Sequence, residues 1–360
     1  MIKGFWQEFS KPIVGLSPMD GVTDAPMRLI SKKYGLPDVI YTEFVSVDGL
    51  WRIHKRGETT HKIWNELAFD ERERPVVAQL FGSDPDSFFE AAKIIAPMGF
   101  DGIDVNMGCP SPGLEKRGGG AGLMRDTGLA RAVVEAVRKG APDLPVSVKT
   151  RVGSTAPDLV WWKALADMEL PALAMHGRTF RQRYSGEADW EVLKKASPII
   201  KESGALFLGN GDVEKILPNS KLLLSGERQI DLGIDFDGVL VGRKAIGNPW
   251  ALRKDGYEPS VDEKLDVAIE HAKEYERIFA INPIHSYHSP SDSIRTRVME
   301  RSGGTDRVRF EIMRKHLTCY AHGFAGAGGL RRRLVKTNRA DEVEQIVAEF
   351  VSEYPDVAVN

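Results

Sequence analysis

Cys109 is the residue whose neighbours best equip it for chemistry. It lies in the stretch Gly102-Ile103-Asp104-Val105-Asn106-Met107-Gly108-Cys109-Pro110. Ile103 and Val105 suit a strand buried on both faces. Gly108 permits an unusual backbone angle, and Pro110 stops a hydrogen-bonded ladder. A thiol is therefore presented at the mouth of a strand, with Asn106 three residues upstream. A glycine-rich loop, Arg117-Gly118-Gly119-Gly120-Ala121-Gly122, follows it. A cysteine in a protein interior is more often a small inert hydrophobe; the polar neighbour and the loop favour a functional thiol.

Other short apolar runs also close on polar groups. Their ends supply Ser17-Pro18-Met19-Asp20, Gln79, Asn106 with Cys109, Lys149, His176-Gly177-Arg178, Asn210-Gly211-Asp212 and Gly242-Arg243. Each is weak alone. A strand-end lysine is usually a solvated cap, a lone histidine is usually a hydrogen-bonded core residue, and Arg243 could be a surface charge. Their joint occurrence, against runs that are otherwise apolar, points to one site assembled from many strand ends.

The elements that must position this set are eight strand-like runs, at residues 12–16, 39–44, 75–80, 102–106, 145–149, 172–176, 205–210 and 238–242. Helical patterns with apolar residues three and four apart lie between them, as at 86–96 and 129–139. Eight such units over roughly 250 residues predict an α/β fold, a (β/α)8 TIM barrel, whose reactive groups collect at the C-terminal strand ends. A doubly wound open sheet is the rival, but the strand-first glycine fingerprint it usually carries is not found. From 261 onward no clear strand occurs, and amphipathic patterns run over 265–279 and 307–320, with a loop expected at 282–292. The expected division is a catalytic barrel over 1–256 and a C-terminal helical domain over 257–360.

The chain has 360 residues, 42% hydrophobic and 28% charged, with a formal net charge of −2, as in an ordinary soluble protein. No global charge announces a nucleic acid, so any such surface must be local. Two cysteines without a CxxC pair argue against a disulfide framework and a zinc site, and no metal site is expected. No signal-like N-terminal run and no long apolar span is visible, which predicts a cytoplasmic protein without a membrane partner.

Gly211 and Gly242 allow close backbone approach and Arg243 adds a fork of donors at strand ends seven and eight, where such barrels commonly seat a phosphate. Lys149, Gln79 and His176 could surround a polar ring; a cation beside a flavin's pyrimidine edge would favour its reduced form. FMN suits this better than FAD because no dinucleotide fingerprint is present, although a phosphate-sugar substrate would use the same seat.

The motifs PMDGVTDAPMR (18–28), VAQLFGSDP (77–85), GIDVNMGCPSP (102–112), VSVKTRVG (146–153), MHGRTFRQRYSGEADW (175–190), GNGDV (209–213) and GVLVGRKAIGNPW (238–250) resemble those of the tRNA-dihydrouridine synthases. MRKHLTCYAHGFAGAGGLRRRL (313–334) is similar to that family's helical tRNA-binding domain. The resemblance implies an FMN enzyme that reduces a uridine of tRNA, with NADPH (or NADH) as reductant. It implies Cys109 as proton donor, Pro18, Met19 and Asp20 against the flavin ring, and Gln79, Lys149 and His176 at its polar edge. Asn210, Gly211, Asp212, Gly242 and Arg243 would hold the FMN tail, and Asn106 and Arg178 the target base. Arg181 and Arg183 lie beside that pocket as steering or ordinary surface charges.

With a tRNA substrate, the basic stretch 295–315 and Arg331, Arg332, Arg333 and Lys336 become candidate phosphate contacts, and the acidic tail 341–356 is expected to face away. A monomer is the expected working form. Segments 46–74 and 281–304 look longer than the family pattern, and the KRGGGAGLM loop is richer in glycine. The competing readings are an FMN oxidoreductase of a free pyrimidine, similar to dihydroorotate dehydrogenases, and a non-catalytic RNA-binding flavoprotein.

Overall fold

A computed structural model describes residues 3–58, 61–281 and 310–355. Eight parallel strands close a barrel: β1 (Ile13–Leu16), β2 (Val39–Ser46), β3 (Val76–Phe81), β4 (Gly102–Met107), β5 (Val146–Arg151), β6 (Ala172–His176), β7 (Leu206–Asn210) and a last strand at Gly238–Val241. That last strand pairs with both β1 and β7, so no edge is left unpaired. The eight runs expected from sequence are these eight strands.

Inside the barrel, side chains alternate along each strand. Ile13, Val39, Tyr41, Val77, Ala172, Ala174, Leu208 and Leu240 meet in one apolar cluster, which Phe5, Trp6 and Phe9 close from below. Continuing two residues at a time toward the C-terminal ends, the same inward faces turn polar. Ala172 and Ala174 lead to His176, Leu206 and Leu208 to Asn210, and Ser147 to Lys149 and Arg151. The barrel is a packed core at one end and a polar bowl at the other.

The outer layer is made by α1 (Ala25–Ile30), α2 (Val47–Lys55), α3 (Ile63–Glu66), α4 (Pro85–Ile95), α5 (Pro112–Lys116), α6 (Thr127–Gly140), α7 (Leu159–Ala166) and α8 (Trp190–Glu202). Their starts are set chemically: Asp24, Ser46, Asp84, Asp126, Asp158 and Asp189 each accept a first-turn backbone N–H of the helix that follows. The long 46–74 segment is filled by α2 and α3, with Ile53, Ile63, Leu67 and Phe69 in the outer core. Within this layer a fully buried ion pair joins Arg28 Nε to Glu73 at 2.7 Å.

One insertion is not evident from sequence. Between β7 and the last barrel strand, β8 (Val213–Leu217), β9 (Lys221–Leu224) and β10 (Gln229–Asp231) form a small antiparallel sheet, which makes the barrel's last strand β11. These strands are short and half-exposed, too brief for periodicity to reveal.

After the barrel come α9 (Val261–Glu276), α10 (Arg314–Tyr320), α11 (Ala327–Leu334) and α12 (Ala340–Glu353). The helix expected over 307–320 has its described helical part only at Arg314–Tyr320, preceded by a single tight turn at Phe310–Ile312. The expected 282–292 loop and the basic stretch from 295 to 309 lie outside the described residues. The C-terminal helices share a core with Ile30 and Trp250 of the barrel, so the two parts dock through apolar packing. Among the described residues no helix is long and apolar enough to cross a membrane.

Candidate active site

The polar bowl opens into a cavity of about 590 Å³, within the span of roughly 300–1,000 Å³ usual for small-molecule sites. Its lining brings together Pro18, Met19 and Asp20, Asn106 and Cys109, Lys149, His176, Asn210, Gly211 and Asp212, and Gly242 and Arg243. Twelve of the fourteen residues singled out in the sequence thus line one space, contributed by the ends of β1, β4, β5, β6, β7 and β11.

Cys109 is held by a chain of buried hydrogen bonds. Ser147 Oγ donates to Asp104 at 2.6 Å, and Gln79 Nε2 donates to the other Asp104 oxygen at 2.7 Å. Asn106 Nδ2 donates to Gln79 Oε1 at 2.9 Å. Asn106 Oδ1 then accepts the backbone N–H groups of Gly108 (3.0 Å) and Cys109 (2.9 Å). Arg151 Nε donates to the Gly108 carbonyl at 2.8 Å, and its Nη1 to the carbonyls of Thr179 and Arg183. The cysteine turn is pinned from both sides.

This geometry reassigns two residues. Gln79 is fully buried beneath the cavity and does not line it; its amide links Asp104 to Asn106. Asn106 reaches the cavity, but its carbonyl oxygen is committed to the cysteine turn rather than to a substrate base. Arg178 also departs from the expectation. It is 2% exposed and outside the lining, its Nη2 donating to Asp212 at 2.7 Å and to the Gly186 carbonyl at 2.6 Å. Asp212, which lines the cavity, also accepts from Arg243 at 3.1 Å, and the other terminal nitrogen of Arg178, Nη1, is buried without a partner among the described residues.

Arg151 is the residue that sequence reasoning missed. The signal was available, because Ser147, Lys149 and Arg151 are two apart on one strand and so share its inward face. Tyr184, 60% exposed, lines the rim with the Arg151 and Arg243 guanidinium groups 5.9 and 5.5 Å from its ring centre.

The electrostatics of the bowl are cationic. Burial, helped by Arg151, pushes Lys149 down to about 8, and its Nζ donates to Asn210 Oδ1 at 3.1 Å. Burial and the surrounding Arg151, Lys149, Arg178 and Arg243 hold His176 well below the usual imidazole range, so the ring is neutral. Its Nδ1 is buried without a partner among the described residues. Burial pushes the Cys109 thiol up from its ordinary 9.0, against the opposing pull of Arg151 and Lys149. At neutral pH the site therefore holds a protonated thiol among cations.

The backbone leaves room for a ligand. Gly211 has φ +120°, and a Cβ there would lie 2.6 Å from Ala188 Cβ and 3.2 Å from His176 Nε2. A Cβ at Gly242 would meet only Ser17 Cβ at 3.7 Å and Met19 Sδ at 3.8 Å, so that position forms a cradle that a side chain would fill. Arg243, the unpartnered His176 nitrogen and Lys149 are donors suited to an anionic, hydrogen-bond-accepting molecule such as a flavin mononucleotide.

The sequence pattern of the family described as dihydrouridine synthase matches residues 15–354. A "Probable tRNA-dihydrouridine synthase" of Staphylococcus aureus (strain MRSA252) is 32% identical over 354 residues, covering 97% of this chain and 96% of that relative. "Probable tRNA-dihydrouridine synthase 2" of Bacillus subtilis (strain 168) is 30% identical, covering 99% of each. Among solved structures, an old yellow enzyme homologue from Zymomonas mobilis aligns with a TM-score of 0.41 at 13% identity, covering 66% of this chain and 86% of that one. Morphinone reductase in complex with tetrahydroNAD aligns with a TM-score of 0.43 at 14% identity, covering 69% and 88%.

Asn106→Ala removes the acceptor for two backbone N–H groups and a partner of Gln79. It is expected to lower stability in a urea titration by about 1–3 kcal/mol. In a Cys319→Ser background it should also speed alkylation of Cys109, read by mass spectrometry. An alkylation rate equal to that of the parent would show that Asn106 does not fix the thiol.

Proposed function

The chain belongs to the dihydrouridine synthase family, and we propose that it reduces the C5=C6 bond of a uridine in tRNA with FMN in the barrel mouth and Cys109 as proton donor. The observation that carries this reading is the convergence in one cavity of a protonated thiol with Lys149, His176, Asn210, Gly211 and Arg243.

When bound, reduced FMN supplies a hydride to C6 of the uracil ring. Cys109 gives the proton of its Sγ–H to C5 from the opposite face, so the base gains one hydride and one proton and the thiol becomes a thiolate. Burial keeps the thiol protonated beforehand. Arg151 and Lys149 stabilise the thiolate afterwards, until water returns the proton. The Asn106 hydrogen bonds keep Sγ from wandering out of reach, which is worth most when the transfer distance is short.

Lys149 and neutral His176 would sit at the flavin's polar edge, Met19 and Pro18 against its ring, and Arg243 with the Gly211 and Gly242 backbone at its phosphate. Asp212, by holding Arg178 and Arg243, orients that corner. The electrons come from NADPH or NADH. The target uridine must leave its stack to enter the bowl, and Tyr184 offers an aromatic face at the entrance.

For the tRNA backbone, α11 and the residues just after it carry Arg331, Arg332, Arg333 and Lys336. Arg331 donates to the Ala321 carbonyl at 2.6 Å and Arg333 pairs with Glu349, whereas Arg332 and Lys336 are exposed beside a groove between α11 and α12. Those two are the contacts we assign to phosphates. A single chain working in the cytoplasm completes the reading.

The test is a single turnover of the enzyme, reduced by NADPH under nitrogen and mixed with unmodified tRNA. Flavin reoxidation accompanied by a gain of two hydrogens on one uridine supports the reading; a flavin that reduces yet never reoxidises with tRNA overturns it. In the same assay Cys109→Ala should retain flavin and tRNA but lose about 10²–10⁴-fold in rate, and full activity in that variant would remove Cys109 as the acid.

Lys149 is cationic below about pH 8 and neutral above it. FMN affinity should therefore fall as the pH rises through about 8, and Lys149→Arg should move that fall to higher pH in a fluorescence titration. Replacing Arg332 and Lys336 together by Gln should weaken tRNA binding and reduce the salt slope of log K by about 2, at roughly 0.9 per phosphate neutralised. An unchanged slope would place the RNA surface elsewhere.

A further inference from the structure

Away from the bowl, the junction between the barrel and the C-terminal helices holds three titratable groups that the chemistry above does not use. Asp24 caps α1, His271 lies on α9 and His316 on α10. His271 and His316 are fully buried and Asp24 is 7% exposed. One ligating atom from each lies within 4.8 Å of the other two, and the two imidazole rings are 4.8 Å apart at 52°.

The hydrogen bonding of this cluster is incomplete. His316 Nδ1 and Nε2 and His271 Nε2 are buried without any partner among the described residues. Three buried nitrogens without a partner are costly, at about 1–3 kcal/mol each if nothing else binds them. The fourth nitrogen, His271 Nδ1, is 3.2 Å from Tyr320 Oη. A contact of that kind fixes a histidine's tautomer and leaves the opposite nitrogen free to ligate. Asp24 commits one oxygen to the Met27 N–H at 3.0 Å; the other has no donor among the described residues.

We infer that Asp24, His271 and His316 form a binding site for a divalent first-row metal ion, of the kind that zinc occupies, fastening α1 of the barrel to α9 and α10. Two imidazoles and one carboxylate are a nitrogen–oxygen donor set suited to zinc, and an ion about 2.0–2.2 Å from each ligand needs ligand separations of roughly 3–4 Å. Metal binding at this site therefore draws together ligand atoms that stand up to 4.8 Å apart here.

The protonation states agree. Burial pushes His271 down to about 3 and holds His316 well below the usual range, so both rings are neutral and ready to ligate. Burial, with Glu43 nearby, pushes Asp24 up to about 7, a penalty that a cation relieves. Arg28 and Lys315 are the cations facing the group. Arg28 is already paired with Glu73, which leaves Lys315 as the charge a metal must tolerate. The site is independent of the reading of the bowl, because none of its residues lines that cavity.

The test is made on the full-length holoenzyme, incubated with zinc, desalted and assayed for metal by mass spectrometry and for its ligand shell by X-ray absorption. About one zinc per chain is expected, in a shell of nitrogen and oxygen near 2.0–2.1 Å with no sulfur. His316→Gln should lose that zinc. Should it fail to fold, Tyr320→Phe keeps all three ligands and is expected to weaken zinc binding by about 10–100-fold. No retained zinc in the parent protein, sulfur in the shell, or zinc retained unchanged in folded His316→Gln overturns the proposal.

Discussion

The buried hydrogen-bond chain from Ser147 through Asp104, Gln79 and Asn106 to the backbone of Cys109 is the interaction on which the site depends. It crosses β5, β4 and β3 inside a low-dielectric interior, where a half-satisfied polar network would be worse than none. Asp104 is its anchor, pushed up to about 6 by burial yet holding two donors. Because each amide in the chain is spent on its neighbour, the cysteine turn has a single arrangement, and Arg151 closes it from the other side. The position of the thiol is therefore a property of the barrel's strands rather than of a loop.

The same closed barrel explains why the bowl is polar only at one end. Alternation places every second residue inside, and the inward residues change from apolar to polar along β5, β6 and β7. Much of this was legible in the sequence, since runs such as Ala172 to His176 show the change directly. The eight strands and the glycine positions were legible for the same reason. Residues whose partners lie far away in the chain were not. Arg178 reads as a pocket arginine beside His176, and only the fold shows Asp212 against it; Asn106 reads as a base contact, and only the fold shows that its oxygen accepts from Gly108 and Cys109 while it lines the cavity. Strands β8–β10 escaped because short, half-exposed strands carry little periodic signal.

The junction between the barrel and the helical part follows a different logic. Its core is apolar, with Ile30 and Trp250 packed among α9, α10, α11 and α12. Asp24 stands more than two hundred residues before His271, and His316 follows on another helix, so no spacing rule could join the three, and a reading of metal sites from cysteine pairs passes over them. Nearby, Gly21 of the loop that leads from β1 to α1 donates its N–H to Glu43 at 2.6 Å. Asp24 itself follows Asp20 by four residues, so the junction lies at the end of the loop that bears Met19 and Asp20 of the bowl's lining.

The central claim is that the barrel presents Cys109 as an acid, and the most direct measurement is the titration of that thiol. Alkylation of the flavin-loaded enzyme in a Cys319→Ser background, followed against pH by mass spectrometry, reports the thiolate fraction. The account predicts a midpoint above the ordinary 9.0, with the thiol intact at neutral pH. A midpoint near neutrality would contradict it, since Cys109 would then be a thiolate when the base arrives and could not supply the proton.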